Sequence, residues 1–274
     1  MLTVNTNVSA MTALQNLNAT NGQLAEVQNR INTGLTVAGA KDNGAIFAIA
    51  QNQRADVASL GAVSQSINRA ISTVDVGLSA GEAVSDLLIE LKEKAVAAAD
   101  PSLDTASRNA LNEDFTALRD QITTIVGNAE FNGINLVDGS TSSLAVLANA
   151  DATSTITVTA QDLSLSGSVV TLAATAEIGT ATAASAAIGT VQTSLENVNN
   201  ALAKLGTASK KLEVQNTFIT SLTDSLKAGI GNLVDADLAV ESARLQSLQV
   251  KQQLGVQALS IANQQPQIAL SLFR

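Results

Sequence analysis

The sequence predicts a mainly α protein: a long helical coiled coil or bundle formed by the N- and C-terminal segments, with a small β-rich segment in the middle. Three observations point there. Apolar residues recur at helical spacing through both ends of the chain. The 46% hydrophobic content is largely alanine, with aromatics only at Phe47, Phe115, Phe131, Phe218 and Phe273, a composition that favours closely packed helices. Turn pairs and dense Ser and Thr are confined to the middle.

Residues 1–42 read as an N-terminal arm. Leu14, Leu17, Leu24, Ile31 and Leu35 alternate three and four residues apart, with Asn21 and Gln28 in the two remaining places of a heptad stripe. As far as Ala40 the only charged side chains are Glu26 and Arg30. A helix facing bulk water normally carries a charged outer face, so this face is expected to meet something other than water.

Residues 43–138 begin a helical shell. A long helix follows Gly44 through Ile46, Val57, Ile67, Val74, Leu88 and Val96, and Asp100-Pro101 ends it, because the residue before proline is pushed out of helical geometry. Asp104 is the expected N-cap of a second helix that passes Phe115 and Ile122 to Gly127. Asn132-Gly133 and Asp138-Gly139 supply the positive φ angles of tight hairpin turns.

Residues 139–190 form a short β and loop region whose only charges are Asp151, Asp162 and Glu177. Thr155-Ile156-Thr157-Val158-Thr159 alternates as a strand does, and Val169, Val170 and Leu172 suggest another. Helix is expected again over 191–230, from about Val191 through Leu205 and Ile219 to Leu226, until Gly229 and Gly231 interrupt it. For these helices to pack, the third must return beside the first two, which brings both termini to the same end.

Residues 231–274 repeat the theme of the first arm. Leu238, Leu245, Leu248, Leu254, Ala258, Ile261, Ile268 and Leu272 lie at helical spacings, and after Leu238 only Glu241, Arg244, Lys251 and Arg274 are charged. The polar positions are mostly glutamine, an uncharged amide that enters a crowded interface at far less desolvation cost than an ion. Arms of this kind are expected to be disordered in the free monomer and ordered in an assembly.

Composition narrows the functions. The net charge is −9 and no Lys or Arg cluster occurs, so neither nucleic acid nor an anionic membrane is an expected partner. There is no Cys and no His, which removes the thiolate nucleophile, the commonest general base and the commonest transition-metal ligands. No cofactor is expected and no group of residues suggests an enzyme. No run is long and apolar enough to span a bilayer. The N-terminus lacks the pattern of a cleaved signal peptide, so the chain either stays inside or leaves by a route that reads an uncleaved N-terminus. Asp235, Asp237 and Glu241 could be read as a cation site, but the ligand set is too small for calcium. Asp237 as N-cap with Glu241 in the first turn explains them more simply.

The ends also carry a resemblance. Asn5-Thr6-Asn7, the Leu14 to Leu17 stripe, Arg30-Ile31 with Gly34, and Ala40-Lys41-Asp42-Asn43-Gly44-Ala45 leading into Ala48-Ile49-Ala50 are similar to the start of bacterial flagellin. Phe131-Asn132-Gly133-Ile134-Asn135-Leu136 resembles the opening of that family's β region. Asp235-Ala236-Asp237, Glu241, Ala262-Asn263-Gln264-Gln265-Pro266-Gln267 and Leu270-Ser271-Leu272-Phe273-Arg274 resemble its C-terminus. The similarity covers residues 1–138 and 190–274, and its specificity lies in the order and placement of the motifs.

The resemblance implies a structural subunit of the flagellar filament, exported unfolded through the flagellar type III apparatus and secreted to the extracellular filament. Self-assembly would run through Leu14, Leu17, Leu24, Ile31, Leu35, Leu245, Leu248, Leu254, Ile261, Ile268, Leu272 and Phe273. Gln253 and Gln257 would be candidates to line the channel. Partners would be the chain itself, paralogous flagellins, and the export chaperone, junction and cap proteins. The short middle region implies a small outer feature, and its Ser and Thr residues read equally as O-glycan acceptors or as a soluble surface. The metalloprotease insert of some flagellins needs histidines that this chain lacks. Where the family's animal receptor expects an arginine, this sequence has Glu90, which implies weak receptor activation. The alternatives are a hook-filament junction protein, which shares the terminal pattern, and a coiled-coil adhesive or signalling module.

Overall fold

The computed structural model describes residues 6–271, with side chains as far as Gln264. The elements are α1 (Val8–Thr33), α2 (Gly44–Ala98), α3 (Thr105–Asn128), β1 (Glu130–Phe131), β2 (Ile134–Asn135), β3 (Ser143–Leu147), β4 (Thr155–Thr159), α4 (Ala181–Val234) and α5 (Leu238–Ser271). The fold is therefore mainly α with a small β segment in the middle. The chain packs as two compact units, one of Met1–Ala55 with Ser225–Arg274 and one of Asp56–Asp224.

The second unit is built on a regular seam along α2. Leu60, Val63, Ile67, Ala70, Val74, Val84, Leu88, Leu91, Ala95 and Ala98 are all buried, and with Gly77 and Gly81 they keep three- and four-residue steps. Opposite them α4 buries Ala184, Val191, Val198, Leu205, Leu212 and Ile219. Gly81 is a notch in the seam, since a Cβ there would lie 2.6 Å from Leu202 Cδ2. Polar rungs join the same helices: Ser64 Oγ donates to Asn216 Oδ1 at 2.8 Å, and Asn216 Nδ2 donates to Asn68 Oδ1 at 2.9 Å. These pairings make α2 and α4 antiparallel. Against them α3 seats Phe115, Ile122 and Val126, all buried.

The ends of these helices follow local chemistry. Asp104 caps α3 by accepting from Ser107 N at 2.9 Å, and those hydrogen bonds hold its carboxyl below the ordinary carboxylate value. Arg108 satisfies carbonyls left free at the end of α2 and just beyond it, donating to Ala98 O at 3.0 Å and Asp100 O at 2.9 Å. Asn132 and Gly133 have φ of 51° and 79°, the two-residue turn that joins β1 to β2.

Three expectations need correction. Asp138-Gly139 does not close a hairpin: Asp138 Oδ1 accepts from Ser140 N and Oγ at 2.9 and 2.6 Å, and Gly139 (φ 77°) leaves the room taken by the Asp162 carboxylate, 3.0 Å from where a Cβ would stand. Val169, Val170 and Leu172 form no strand; they are buried side chains of an irregular segment. That segment is stitched to the helices by Asn197 Nδ2 donating to Val169 O at 3.2 Å, Thr171 N donating to Ser194 Oγ at 3.0 Å, and Arg119 Nη1 donating to Ala176 O at 2.8 Å. Thr155–Thr159 is a strand as expected, and it pairs with Ser143–Leu147. Finally, α4 starts at Ala181, earlier than Val191, and runs through Gly229 and Gly231 to Val234. Gly231 is there for room: a Cβ would stand 2.7 Å from Asp235 Oδ2.

Candidate functional site

The first unit carries the two arms. They pack on each other as an antiparallel pair, and their contacts keep one register throughout. Asn7 Nδ2 donates to Ala262 O at 2.7 Å, a Cβ on Gly255 would stand 3.2 Å from Leu17 Cδ1, Gln252 Nε2 donates to Asn21 Oδ1 at 2.8 Å, and Arg30 Nη1 meets Glu241 Oε1 at 3.1 Å. Where the arms join the rest of the unit, Leu35 bridges to Asp235, Ala236 N donates to Gly34 O at 2.9 Å and Thr36 N donates to Val234 O at 2.7 Å. Both arms therefore enter from the same end and run side by side.

Local chemistry sets the helix limits. Asn7 caps α1 by accepting from Ala10 N, and Gly34 ends it in the left-handed region at φ 70°. Asp237 caps α5, accepting from Ala239 N at 2.9 Å and Val240 N at 3.2 Å. Glu241 is 7% exposed and is tied to Arg30, which also reaches Glu26 Oε1 at 2.5 Å. Of the carboxylates that suggested a cation, Asp237 is thus occupied by capping and Glu241 by an ion pair. Glu241 Oε2 is buried without a hydrogen-bond partner among the described residues, so the pair depends wholly on Arg30.

The seam differs from the stripe that the leucines mark out. On α1 the covered positions, apart from the ion-paired Arg30, are Ala10, Ala13, Leu17, Thr20, Leu24, Val27 and Ile31, again in three- and four-residue steps. Leu17, Leu24 and Ile31 belong to both patterns, but Leu14, Asn21 and Gln28 are exposed, and Val27 is the buried residue of the helix. Leu35 lies beyond the helix end, half-buried at the bridge. On α5 the seam is Glu241, Leu245, Leu248, Gln252, Gly255, Leu259 and Ala262. Leu245 and Leu248 are in it; Leu254 and Ile261 stand outside, 59% and 66% exposed. Gln253 and Gln257 are exposed as well. Ile268 lies beyond the described side chains, and Leu272 and Phe273 lie outside the described residues.

Pattern alone missed the seam because two heptad registers share Leu17, Leu24 and Ile31. The deciding residues are small, and small residues let helices approach closely without adding hydrophobic weight. The signal was present in the unbroken three–four run that starts at Ala10.

Outside this seam each arm keeps a large apolar surface. Val8 and Met11 are 65% and 63% exposed, and Val250 and Val256 are exposed with Leu254 and Ile261. Between the arms runs a groove of about 650 Å³ lined by Val8, Ser9, Thr12, Ala13, Asn16, Leu254, Gly255, Ala258 and Ala262. It offers small side chains and no charge, so it suits an apolar side chain from another helix rather than a reacting substrate. In the second unit Glu90 is exposed on α2. No helix among the described residues is long and apolar enough to cross a membrane.

The comparisons with known proteins agree with this geometry. The bacterial flagellin N-terminal helical region matches residues 4–142 and the bacterial flagellin C-terminal helical region matches 188–273. Flagellin FljM of Caulobacter vibrioides is 57% identical over 271 residues, which is 99% of this chain and 98% of that protein. A flagellin of Brucella melitensis is 38% identical over 283 residues and spans all of both chains. Among solved structures, Bacillus cereus flagellin gives a TM-score of 0.51 at 21% identity over 61% of this chain and 94% of that one. A putative flagellar hook-associated protein of Vibrio parahaemolyticus gives 0.59 at 12% identity over 71% and 100%. At those identities the two structures bear on the fold alone. The regional matches and the full-length relatives show that this chain belongs to the bacterial flagellin family.

Proposed function

We propose that this flagellin, a structural subunit of the extracellular bacterial flagellar filament, polymerises through the surfaces its paired arms leave uncovered. The carrying observation is the exposure of Met11, Leu14, Leu254 and Ile261 on helices that are nearly free of charge. Apolar surface of that extent on a soluble chain marks a place that another protein covers, and here the occupant is a second copy. Within that reading Leu17, Leu24, Ile31, Leu245 and Leu248 hold one chain's arms together, Leu35 fixes their root, and Leu14, Leu254 and Ile261 face neighbours. Ile268, Leu272 and Phe273, which lie beyond the described side chains, are proposed to take part in the same self-assembly.

The chain covers 98% of Flagellin FljM and all of the Brucella melitensis flagellin, and the divisions 1–42, 43–138, 139–190, 191–230 and 231–274 serve as inner arm, shell, short outer feature, shell and inner arm. The subunit leaves the cell unfolded by the flagellar type III route and meets the export chaperone, junction and cap proteins on the way. Similarity to FljM, FljK, FljO, FljN and FljJ, all flagellins of one organism, supports copolymerisation with paralogues. Exposed Gln253 and Gln257 line the channel as neutral, wettable groups, and Glu90 weakens recognition by the animal receptor.

Electron microscopy of the purified protein after seeding tests the reading. Helical tubes are expected, and deletion of residues 255–274 should abolish them while the circular dichroism of the second unit persists. Persistent absence of tubes from the intact chain would overturn it.

A further inference from the structure

In the second unit, two outward helix faces carry opposite charge and uncovered apolar side chains. On α2 the face consists of Glu82, Asp86, Ile89, Glu93 and Val96, in steps of four, three, four and three residues. On α4 it consists of Lys204, Thr207, Lys211, Val214 and Phe218, in steps of three, four, three and four. Ile89 and Val96 are each 53% exposed, and Val214 and Phe218 are 62% and 56% exposed. Asp86, Glu93, Lys204 and Lys211 are exposed and make no ion pair among the described residues.

We propose that these faces dock on each other between copies, the acidic face of α2 on one chain against the basic face of α4 on the next. The proposal rests on the filament reading and assigns the contact made by the shell rather than by the arms. Its basis is complementarity in three respects. The first is sign: each face would repel its own kind, so the contact has to join unlike faces. The second is spacing. Asp86 and Glu93 are seven residues apart, as are Lys204 and Lys211, so both pairs repeat at about 10.5 Å along a helix. One docking therefore sets both lysines against both carboxylates, whichever way the helices run. The third is shape. When the two helices run antiparallel, with Glu93 opposite Lys204, Val96 falls beside a shallow, open groove bounded by Asn200, Ala203, Lys204 and Thr207, which leaves room for that exposed aliphatic side chain and favours the antiparallel docking.

A contact between two different faces is not used up by pairing. Each chain still presents the other face, so the contact repeats from copy to copy, as a helical polymer requires.

The test uses full-length protein and seeded polymerisation. K204E/K211E and D86K/E93K each set like charges together and should slow elongation at least about tenfold, with monomer circular dichroism unchanged. The chain carrying all four substitutions has the charges exchanged and should regain a rate within about threefold of the original. Because that chain contains every substitution of both defective variants, its recovery separates docking from misfolding. Wild-type elongation by both double variants, or failure of the fourfold variant to recover, overturns the proposal while leaving the arm reading intact. Failure of the unaltered chain to polymerise overturns both.

Discussion

The arms and the second unit are written in the same three–four apolar pattern, yet they fill it differently. Along α2, Ile67, Val74, Leu88 and Leu91 are fully covered by side chains of their own chain, because α3, α4 and the segment after β4 close around that helix. Along the arms each helix has one partner, and Met11 and Ile261 remain 63% and 66% exposed. Periodicity reports that a helix has a face to bury; it does not say whose surface buries it. The charge pattern supplies that. The second unit has lysines and carboxylates on its outer faces, whereas the arms carry amides there.

The largest effect that would break this contrast is a cavity in the closed unit. Phe115 is completely buried on α3, so Phe115→Ala should cost about 3–5 kcal/mol of unfolding free energy in the monomer. Leu14→Ala and Ile261→Ala, by comparison, should leave the monomer's thermal midpoint unchanged and raise the concentration needed to polymerise. A monomer destabilised by either of those would place their partners within the chain.

Next comes the ion pair at the root of the arms. Arg30→Ala strands the buried Glu241 carboxylate, at a cost on the order of 2 kcal/mol because Arg30 itself is partly exposed. In sedimentation this appears as a roughly 30-fold rise in the critical monomer concentration.

A smaller change follows from Gln253→Glu with Gln257→Glu. Both positions are exposed, so the monomer should be unaltered, and filaments grown in cells should be shorter as charge lines the path of the exported chain. Normal filament length would remove these glutamines from the channel.

The smallest effect is at Asp104. Hydrogen bonds from Ser107 hold its carboxyl below the ordinary value, so its contribution is complete above the ordinary carboxylate pKa and is lost as pH falls through the lowered folded value. Asp104→Ala should therefore lower the second unit's thermal midpoint slightly at neutral pH, and the two proteins should converge in acid.

Much of this architecture was legible before the structure. Pro101, Asp104, Asn132-Gly133 and Asp237 act through local backbone chemistry, and each marks the boundary or turn it was expected to mark. What was not legible depends on partners distant in sequence. Thr155–Thr159 alternates visibly, but its mate Ser143–Leu147 does not, and a strand exists only where its mate lies. Val169 and Leu172 are apolar because helices cover them, not because a sheet does. Gly229 and Gly231 resemble breakers, yet α4 runs through both to Val234. In the arms, Leu14 outweighed Ala13 and Val27 in the pattern although the smaller residues form the seam. That misplaced leucine is informative, since it stands on the exposed face through which we propose that the chain polymerises.

Amide hydrogen exchange, compared between proven monomer and assembled filament, tests the central claim most directly. Residues 8–33 and 238–262 are expected to exchange rapidly in the monomer and to become strongly protected in the filament, while the core of α2 around Ile67 and Val74 is protected in both. Arms as protected in the monomer as in the filament would contradict that claim.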